Sequence, residues 1–267
     1  MPELAEVYYH SRQWAPGLGQ RVEEVRGRAD TRLYRHIPLA DLAKALPGRT
    51  LEAIETHGKQ MRFGFSGAAF LGLHLGMTGA LSAGAESEWA SPPPHAHFQL
   101  RLSGGTILWF CDYRQFGGLR WHEGTGHPPW WPVHRPQPFE AGFTLEYFRQ
   151  ALAAHPRLAL KPALLLQEHF PGIGNWMADE ILWRARIRPQ TLAGKIGSPR
   201  LTRLHGETVA VSRWAMENIG QNYEDPPATW LFPHRWKDGG QCPKTGKPLR
   251  RAVLGGRTTC WSPAWQR

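Results

Sequence analysis

The clearest hydrophobic pattern in the chain is a strict alternation of apolar and polar residues over His97–Leu102. A period of two predicts a β-strand with one buried and one solvated face. The turn residues Ser103–Gly105 connect it to the apolar run Ile107–Phe110, which predicts a β-hairpin. Further strands are predicted over Val22–Val25, Thr50–Thr56, Gln60–Phe65 and Phe70–Leu75. We therefore expect two packed sheets in the first half, behind an N-terminal helix from Glu3 to about Leu18.

The second half has the periodicity of helices. Thr144 is a suitable N-cap for a helix over Leu145–Ala154. Further helices are predicted over Pro162–Glu168, over Trp176–Arg186, and from Ser198 to Gly220. Between the halves, prolines recur too often for a helix or a central strand. The predicted fold class is α+β, with a β-sandwich domain over residues 1–126, a linker over 127–142, a helical domain over 143–225 and a small β-hairpin tail over 226–267.

Composition adds a class of partner and a compartment. The 267 residues are 41% hydrophobic, enough for packed cores, and carry a formal net charge of +10. Such a charge suits a polyanion such as nucleic acid, although an anionic membrane surface also fits. The sequence contains no long apolar run and no basic-plus-apolar leader, and its three cysteines form no disulfide framework. We therefore expect a cytoplasmic protein, associated with the nucleoid if bacterial.

The first residues offer a reactive amine. Removal of Met1 would leave Pro2 as the N-terminus, with a secondary amine less basic than that of lysine. Such an amine can attack an electrophilic carbon and form an iminium ion. Glu3 is a candidate proton donor, and Glu6 lies one helical turn further on. The same residues also fit an ordinary helix start, with proline in the first turn and acidic residues near the positive end of the helix dipole.

A glycine-rich connection, Phe170–Trp176, joins two predicted helices. Gly172 and Gly174 permit a tight turn whose N–H groups can face an anion. Asn175 then lies at a helix start, where its amide can bind a phosphate or cap the helix. In a basic protein this pattern indicates binding to a nucleic-acid backbone, while an ordinary helix hairpin is the alternative.

Several short motifs extend along nearly the whole chain. In order, they are Pro2-Glu3-Leu4-Ala5-Glu6-Val7, His57-Gly58-Lys59, His74-Leu75-Gly76-Met77-Thr78-Gly79, Asp112-Tyr113-Arg114-Gln115-Phe116-Gly117, Lys161–Leu166, Gly172-Ile173-Gly174-Asn175, Ala178–Leu182 and Ile187-Arg188-Pro189. Together they resemble the formamidopyrimidine-DNA glycosylase / endonuclease VIII family of base-excision repair enzymes. The last four resemble its helix–two-turn–helix module, and Ala5 stands where the family usually has proline.

The resemblance implies a set of catalytic roles. Pro2 would attack the sugar carbon that bears the damaged base, and Glu3 would protonate the ring oxygen so that the base leaves. The resulting iminium makes a neighbouring sugar proton acidic, so that phosphate is eliminated and the strand is nicked. Glu6 would shape the site, unless it is a solvent-facing helical glutamate. Because the amine does the chemistry, no cofactor is expected.

The resemblance also implies DNA-binding roles. Phosphate-binding positions of the family correspond to Lys59, which we group with the catalytic residues, and to His74, Asn175 and Arg257. Side chains that fill the stack after a nucleotide is flipped out correspond to Met77, Arg114 and Phe116. Family positions with a DNA-binding or structural role correspond to Lys161 and Glu180. For Lys59 and Arg257 the alternative is a solvated surface charge, and for His74 it is a strand histidine with its hydrogen bonds satisfied. For Met77 and Phe116 the alternative is core packing. For Lys161 and Glu180 it is a structural ion pair.

The tail departs from the family, which usually ends in a zinc finger with two C-x-x-C pairs. Here Cys242 and Cys260 keep one cysteine of each pair, while Thr245 and Pro263 occupy the other positions. Two thiolates are too few for a closed zinc site, even with His234 as a third ligand, so we expect no metal. The expected replacement is a zincless hairpin held by packing of Trp236, Leu249, Val253 and Trp261. Its tip would still place Arg257 on DNA.

A second departure follows the fourth helix. Family members specialised for 8-oxoguanine carry a glycine- and threonine-rich capping loop there, whereas this chain has Gly220–Thr229 with Pro226-Pro227 inside it. Base preference is therefore expected to differ from theirs.

The sequence thus predicts a bifunctional DNA glycosylase/AP lyase for oxidised pyrimidines, hydantoins and formamidopyrimidines. Its partner would be damaged DNA in duplex, single-stranded or bubble form, and the protein would be a monomer. Two other functions remain: a noncatalytic damaged-DNA-binding protein of the same fold, and an RNA-binding protein that uses only the helix–two-turn–helix module. Pro2 with Glu3 argues against the first, and the set of Met77, Arg114 and Phe116 argues against the second.

Overall fold

The computed structural model of the chain describes residues 2–131 and 135–267. Met1, whose removal the sequence predicts, and residues 132–134, in the predicted linker, lie outside the described residues. The described residues divide into two compact units: 2 and 6–131 belong to the first, and 3–5 and 135–267 belong to the second. In the part of the chain that is described, no helix is both long enough and apolar enough to cross a membrane.

Two four-stranded antiparallel sheets make up most of the first unit. The strands are β1 (Val22–Gly27), β2 (Leu51–His57), β3 (Gln60–Phe65), β4 (Ala69–His74), β5 (Gly79–Ala85), β6 (Ala96–Leu102), β7 (Thr106–Asp112) and β8 (Gly118–Glu123). One sheet has the order β1-β6-β7-β5 and the other β2-β3-β4-β8. Apolar side chains of both sheets share one core, which includes Phe63, Leu71, Phe98 and Phe110. The predicted two-layer β-sandwich is therefore confirmed.

The N-terminal helix α1 is shorter than predicted. It covers Leu4–Arg12, and a short 3-10 turn follows over Ala15–Gly17. The helix cannot continue through Pro16, because this residue has no N–H and its ring would clash with the carbonyl four residues earlier. A second helix of this unit, α2 (Leu39–Ala45), was not predicted.

Strand β6 corrects the expectation of one wet face. His97 and Gln99, which the alternation assigned to solvent, are both buried. Gln99 pairs with Trp109 of β7, which forms a second apolar cluster with Ala96, Ile107 and the partly buried Trp89. The alternation therefore predicted the strand but not its second packing layer, because a strand can bury polar residues wherever another segment covers them.

The second unit is helical with a small hairpin. It contains α3 (Leu145–Ala153), α4 (Leu160–Leu164), α5 (Asn175–Arg184), α6 (Ser198–Asn222), β9 (Arg250–Leu254) and β10 (Arg257–Trp261). Strands β9 and β10 pair antiparallel. Leu4 and Ala5 pack in the same core as Phe148, Phe170 and Ile181. The first residues of α1 thus belong to the helical core.

The bounds of α4 and α6 differ from the prediction, whereas the N-cap of α3 agrees with it. The hydroxyl of Thr144 accepts the N–H of Tyr147 at 3.1 Å, which confirms the predicted N-cap of α3. Helix α4 covers Leu160–Leu164, so it begins and ends earlier than predicted. Pro162 lies in its first turn, where proline is tolerated. Helix α6 passes Gly220, which is buried inside it, and ends where Tyr223 adopts a left-handed conformation with φ 60°.

The packing of the tail also differs from the prediction. Trp236 and Val253 are 55% and 69% exposed, so neither holds the hairpin together. The small core of the tail consists of Trp183, Leu231, Cys242, Leu249 and Cys260, with the partly buried Trp265 against it. Of the predicted set, only Leu249 belongs to this core, and the two cysteines replace the expected aromatic residues.

Candidate functional site

Three of the predicted DNA-contacting side chains lie together on the surface of the first unit. Met77 and Phe116 are 38% and 40% exposed, and Arg114 is exposed as well. The guanidinium carbon of Arg114 lies 4.7 Å from the centroid of the Phe116 ring. Met77 lies in the connection from β4 to β5, whereas the other two lie between β7 and β8. Large apolar side chains exposed beside a cation are suited to stack against bases.

A buried carboxylate, that of Asp112, holds these two loops. One oxygen accepts the hydroxyl of Thr78 at 2.6 Å and the N–H of Arg114 at 3.3 Å, and the other accepts the N–H of Gly117 at 2.7 Å. The Thr78 hydroxyl oxygen also accepts the N–H of Arg114 at 3.1 Å. Asp112 therefore positions the exposed side chains without touching solvent itself.

The loops also approach each other through a glycine. Gly76 has φ +64°, and a Cβ placed there would lie 2.4 Å from the carbonyl carbon of Phe116. Only glycine permits both this conformation and this distance. The His-Leu-Gly-Met-Thr-Gly motif therefore has a steric reason for its first glycine.

A basic pocket lies elsewhere on the same unit, around His74. Arg35, His36 and Arg120 line it, and the Nδ1 atom of His74 accepts the N–H of Gly76 at 3.0 Å. Partial loss of solvent and the positive charges of Lys59, Arg35 and Arg120 lower the pKa of His74, which keeps the imidazole neutral. Lys59 and His74, both predicted to bind phosphate, are thus brought together.

Sequence reasoning missed the cations that line this pocket. Arg35 and His36 follow a short 3-10 helix, Arg32–Tyr34, and Arg120 lies in β8. The Arg35 guanidinium donates to the carbonyl oxygen of Gly117 at 2.5 Å, which fixes it at the pocket. The local density of basic residues around Arg35 was the only sequence signal, and it does not distinguish a pocket from a solvated surface.

Glu3 occupies the N-terminus of α5 in the second unit. The side chain is buried, and its carboxylate accepts the N–H groups of Gly174 and Trp176 at 2.9 Å each and that of Met177 at 3.2 Å. The backbone N–H of Leu4 donates to the carbonyl of Gly172 at 3.0 Å. Negative charge is stabilised there, because unpaired N–H groups and the helix dipole converge at a helix N-terminus.

The two glycines of the turn before α5 have different tasks. Gly172 has φ +85°, a conformation that favours glycine. Gly174 has an extended backbone, but a Cβ there would lie 2.2 Å from the carboxyl carbon of Glu3. The second glycine therefore makes room for the carboxylate, a reason that the sequence alone did not reveal.

Lys161 lies in a buried ionic cluster. Its ammonium group donates to Asp179 at 2.6 Å and to the carbonyl of Asn175 at 2.5 Å. Arg235 donates to the other oxygen of Asp179 at 2.6 Å, and the N–H of Cys260 donates to that oxygen at 3.1 Å. Burial lowers the pKa of Lys161, whereas Asp179 acts in the opposite direction. Because Lys161 is wholly buried, we reassign it from DNA contact to the positioning of α5 and the hairpin.

Glu180 is also wholly buried, so it cannot contact DNA directly in this structure, and we withdraw that expectation. One carboxyl oxygen accepts the N–H of Phe232 at 3.0 Å, which holds the segment after α6. Burial raises the pKa of Glu180 to about 8, although Arg184 acts against this shift. The alternative of a structural ion pair agrees with Lys161, whose partner is Asp179.

Asn175 and Arg257, both predicted to bind phosphate, lie near each other in the second unit. The Asn175 amide donates to the carbonyl of Thr258 at 2.9 Å, and Arg257 is exposed at the start of β10. A Cβ at Gly255, in the turn before β10, would lie 2.8 Å from Pro162, which shows how closely the hairpin approaches α4. The tip of the hairpin is therefore fixed beside the N-terminus of α5.

Pro2 and Glu6 are half-buried members of the first unit. Pro2 immediately precedes Glu3 in the chain, and Glu6 lies in the first turn of α1. Lys59 is half-buried and follows Gly58, whose φ of +57° turns the chain between β2 and β3.

Comparison with known proteins identifies the family. A sequence model of the formamidopyrimidine-DNA glycosylase N-terminal domain matches residues 1–119, and one of the formamidopyrimidine-DNA glycosylase H2TH domain matches residues 135–225. Formamidopyrimidine-DNA glycosylases of Alkalilimnicola ehrlichii and Aromatoleum aromaticum are 34% and 33% identical to the chain, with full coverage of both chains in each case.

The chain belongs to the formamidopyrimidine-DNA glycosylase family. The fold agrees with solved structures of this family. A Lactococcus lactis enzyme bound non-covalently to DNA with an AP site has a TM-score of 0.84 and 24% identity over 99% of each chain. A complex of the same enzyme with THF-DNA and an inhibitor has a TM-score of 0.87 over the full length of both chains. At this level of identity the likeness establishes the α+β fold alone.

The residues of the tail do not fit the zinc site that the family usually carries. Cys242 accepts the indole N–H of Trp183 at 3.4 Å; burial opposes its ionisation, but hydrogen bonds from Ser262, Thr245 and Trp183 together lower its pKa. Burial raises the pKa of Cys260 to about 12, which opposes its ionisation. A zinc-binding cysteine must be a thiolate.

His234, the remaining candidate ligand of the tail, is also engaged. Its Nε2 atom makes a hydrogen bond to the carbonyl of Ala228 at 3.0 Å. The hairpin is instead anchored to α5 by the bonds from Asn175 and Asp179 to its backbone.

Proposed function

We propose that the protein is a bifunctional DNA glycosylase/AP lyase that excises oxidised bases from damaged DNA. The observation that carries this proposal is the fixed carboxylate of Glu3, which follows Pro2 directly in the chain and is held by three backbone N–H groups. Family membership supports the class of activity. A basic chain with exposed Arg114 and Phe116 fits a nucleic-acid partner.

The chemistry begins at the amine of Pro2 after Met1 is removed. Its lone pair forms a bond to the sugar C1′ atom, and the base leaves with the electrons of the glycosidic bond and takes up the N–H proton that the amine loses. Glu3 then protonates the ring oxygen as the C1′–O4′ bond breaks, which leaves the iminium. The iminium acidifies the adjacent C2′ proton, whose loss expels the 3′ phosphate and nicks the strand. Once Glu3 has given up its proton, its carboxylate is stabilised by the three backbone N–H groups at the N-terminus of α5 and offsets the charge of the iminium.

Two sets of residues bind the DNA in this proposal. Lys59 and His74 in the first unit and Asn175 and Arg257 in the second bind phosphates, for which cations and amide donors are suited. Met77, Arg114 and Phe116 fill the void left by the flipped nucleotide. The pocket cations Arg35 and Arg120 add positive charge beside His74.

The proposed substrates are abasic sites, oxidised pyrimidines, hydantoins and formamidopyrimidines. Relatives are named for the last class, and one solved neighbour contains a Fapy-dG lesion. Another neighbour contains carbocyclic 8-oxo-G. Here α6 ends at Tyr223 and the buried Pro226 follows, where a capping loop would lie, so 8-oxoguanine opposite cytosine should be a poor substrate. Lesions that leave the stack readily need less capping.

Borohydride trapping on a duplex with one abasic site tests the chemistry. Wild-type protein should form a covalent complex, and intact mass should show that Met1 is absent. Pro2→Gly should keep DNA binding but trap poorly. Full activity of a homogeneous sample that retains Met1 would refute the nucleophile, and a noncatalytic binder would bind without trapping.

Glu3→Gln separates the acid from the amine. Base excision should fall by about 10²–10⁴-fold, the usual contribution of general acid catalysis. Nicking at preformed abasic sites should persist, because no glycosidic bond remains to be broken. Excision by Glu3→Gln at the wild-type rate would show that another group is the acid. Single-turnover rates on a panel of matched duplexes then test the substrates; an 8-oxoguanine rate above the hydantoin rate would contradict the proposed preference.

A further inference from the structure

We propose that His155, Glu168 and His169 form a binding site for one divalent transition-metal ion of the Zn²⁺ type. The ligand atoms of these three residues lie within 4.8 Å of one another in the second unit. Two imidazoles and one carboxylate are a ligand set that Zn²⁺ and its neighbours in the periodic table prefer. None of these residues has a role in the function proposed above.

The distances have the size of a coordination site. The Nε2 atoms of the two histidines are 3.2 Å apart, and the Glu168 Oε1 atom lies 3.8 Å from Nε2 of His155 and 3.5 Å from Nε2 of His169. A point equidistant from these three atoms is about 2.0 Å from each, which matches zinc–nitrogen bonds of about 2.0–2.1 Å and zinc–oxygen bonds of about 2.0–2.2 Å. Ligand atoms of a tetrahedral zinc ion are themselves about 3.3 Å apart at these bond lengths.

Backbone hydrogen bonds hold the ligands in place. The N–H of His155 donates to Leu152 at 3.1 Å, just after α3, and that of His169 donates to Leu166 at 3.0 Å. The hydroxyl of Tyr147 donates to the carbonyl of His169 at 3.0 Å. The two histidines therefore converge because their turns are fixed, and not only because one imidazole can bond to the other.

The charges around the site allow a cation to bind. His169 is half-buried and lies beside the carboxylate of Glu168, and Arg135 contacts the backbone of Glu168. A neutral imidazole has the lone pair that a metal needs. Arg135 bonds to the carbonyl oxygen of Glu168, so its charge lies near, and the Glu168 carboxylate offsets it. Without an ion, an Nε2–H group of one imidazole donates to the Nε2 atom of the other. When an ion binds, that proton moves to Nδ1 of its own ring, so that both Nε2 lone pairs are free to coordinate.

The site leaves room for water and ties two segments together. Both histidines are half-buried and Glu168 is exposed, so solvent can supply a fourth ligand. An ion would link the end of α3 to the segment that leads into Gly172 and Gly174, the turn that binds Glu3. The expectation that the chain binds no metal rested on the tail, and this site lies outside it.

Calorimetric titration of Zn²⁺ into the EDTA-stripped full-length protein tests the site. Wild-type protein should bind one equivalent. His155→Gln and His169→Gln should each weaken binding by at least about 10–100-fold, because mutation of a residue that only hydrogen-bonds to a metal ligand already costs this much affinity. His234→Gln is the matched control, because it removes a half-buried histidine from the rival site in the tail, and it should bind as wild type. Equal affinity of wild type and both ligand variants would overturn the proposal.

Co²⁺ provides a readout that does not depend on activity, and circular dichroism shows whether each variant is folded. Tetrahedral Co²⁺ should give intense visible absorption with wild-type protein, and this band should be lost in His169→Gln while the circular dichroism of the metal-free protein is unchanged. Zn²⁺ should raise the melting temperature of wild type and His234→Gln only. A band that disappears with Cys242→Ser instead would place the metal in the tail and refute this site.

Discussion

Two buried aspartates organise the two units in different ways. Asp112, in the first unit, accepts hydrogen bonds from the neutral groups of Thr78, Arg114 and Gly117. Asp179, in the second, binds the cations Lys161 and Arg235 and the N–H of Cys260. The first arrangement shapes two neighbouring loops, whereas the second joins segments that are far apart in the chain.

The difference shows what each unit requires. Exposed loops need a fixed conformation, which neutral donors provide without burying a second charge. A tail with a small core needs strong ties to the helices, and the cluster of Asp179 supplies them. Buried ion pairs are costly to form, but breaking one leaves an uncompensated charge. The two aspartates should therefore respond very differently to the same substitution.

Asp179→Asn should have the largest effect. It leaves Lys161 and Arg235 buried without a counter-charge, so we expect the free energy of unfolding to fall by about 3–5 kcal/mol in urea unfolding. Glu207→Gln is the control, because Glu207 pairs with Arg184 at 2.6 Å on a partly exposed surface, and it should cost less than about 1 kcal/mol. Equal losses would mean that the buried cluster does not hold the tail.

Asp112→Asn should cost less. The asparagine side chain keeps one acceptor oxygen, but its NH₂ group faces a donor where the second carboxylate oxygen accepted a hydrogen bond. We therefore expect the free energy of unfolding to fall by about 1–3 kcal/mol. Excision should slow at the same time, because Arg114 and Phe116 lose their fixed position. The exposed Asp41 in α2 offers a matched Asp41→Asn variant, which should change neither quantity. Normal single-turnover excision by Asp112→Asn would show that the loops do not depend on this carboxylate.

Glu180 should make the free energy of unfolding depend on pH, because this carboxyl group is buried. Burial raises its pKa from 4.5 to about 8, so between these values the folded protein binds more protons than the unfolded chain. Stability from this group is therefore complete below about pH 4.5 and declines as the pH rises toward 8. Glu180→Gln should remove this decline, which we expect to be at least about 1 kcal/mol, the equivalent of one pKa unit.

Urea unfolding at pH 5 and pH 8.5 measures this effect. Glu217→Gln, on an exposed position of α6, is the control and should keep the wild-type pH dependence. A Glu180→Gln variant that loses stability with pH as steeply as wild type would contradict the role of this carboxyl group.

The cysteines of the tail should have the smallest effect. Cys242→Ala and Cys260→Ala each remove one buried sulfur from a small core, a change comparable to the loss of a methyl group and worth about 1 kcal/mol. Zinc content should be the same as in the half-buried control Cys111→Ala. A loss of bound zinc in either tail variant would show that the hairpin holds a metal after all.

Local patterns in the sequence predicted most elements of the fold. Alternation predicted β6 and its hairpin partner, and Thr144 predicted the start of α3, since period and capping depend only on neighbouring residues. The burial of His97 was not predictable in this way, because burial depends on how segments that are distant in the chain pack around a strand.

The candidate site shows the same division. Motifs identified Pro2, Glu3, Met77 and the Arg114–Phe116 loop as a set, and their roles at the site remain predictions. They did not identify Asp112 as the group that holds the loops, or the cations Arg35 and Arg120 beside His74. They also could not separate surface charges from buried ones.

The sequence by itself determined the family, most of the strands and helices, and the residue types available for chemistry, because these follow from short-range patterns and motif spacing. Tertiary structure alone decided that Lys161 pairs with Asp179, that Gly174 makes room for Glu3, and that His155 meets Glu168 and His169. Each of these contacts joins residues that are distant in the chain. Their distances depend on how whole elements pack, which no local pattern encodes.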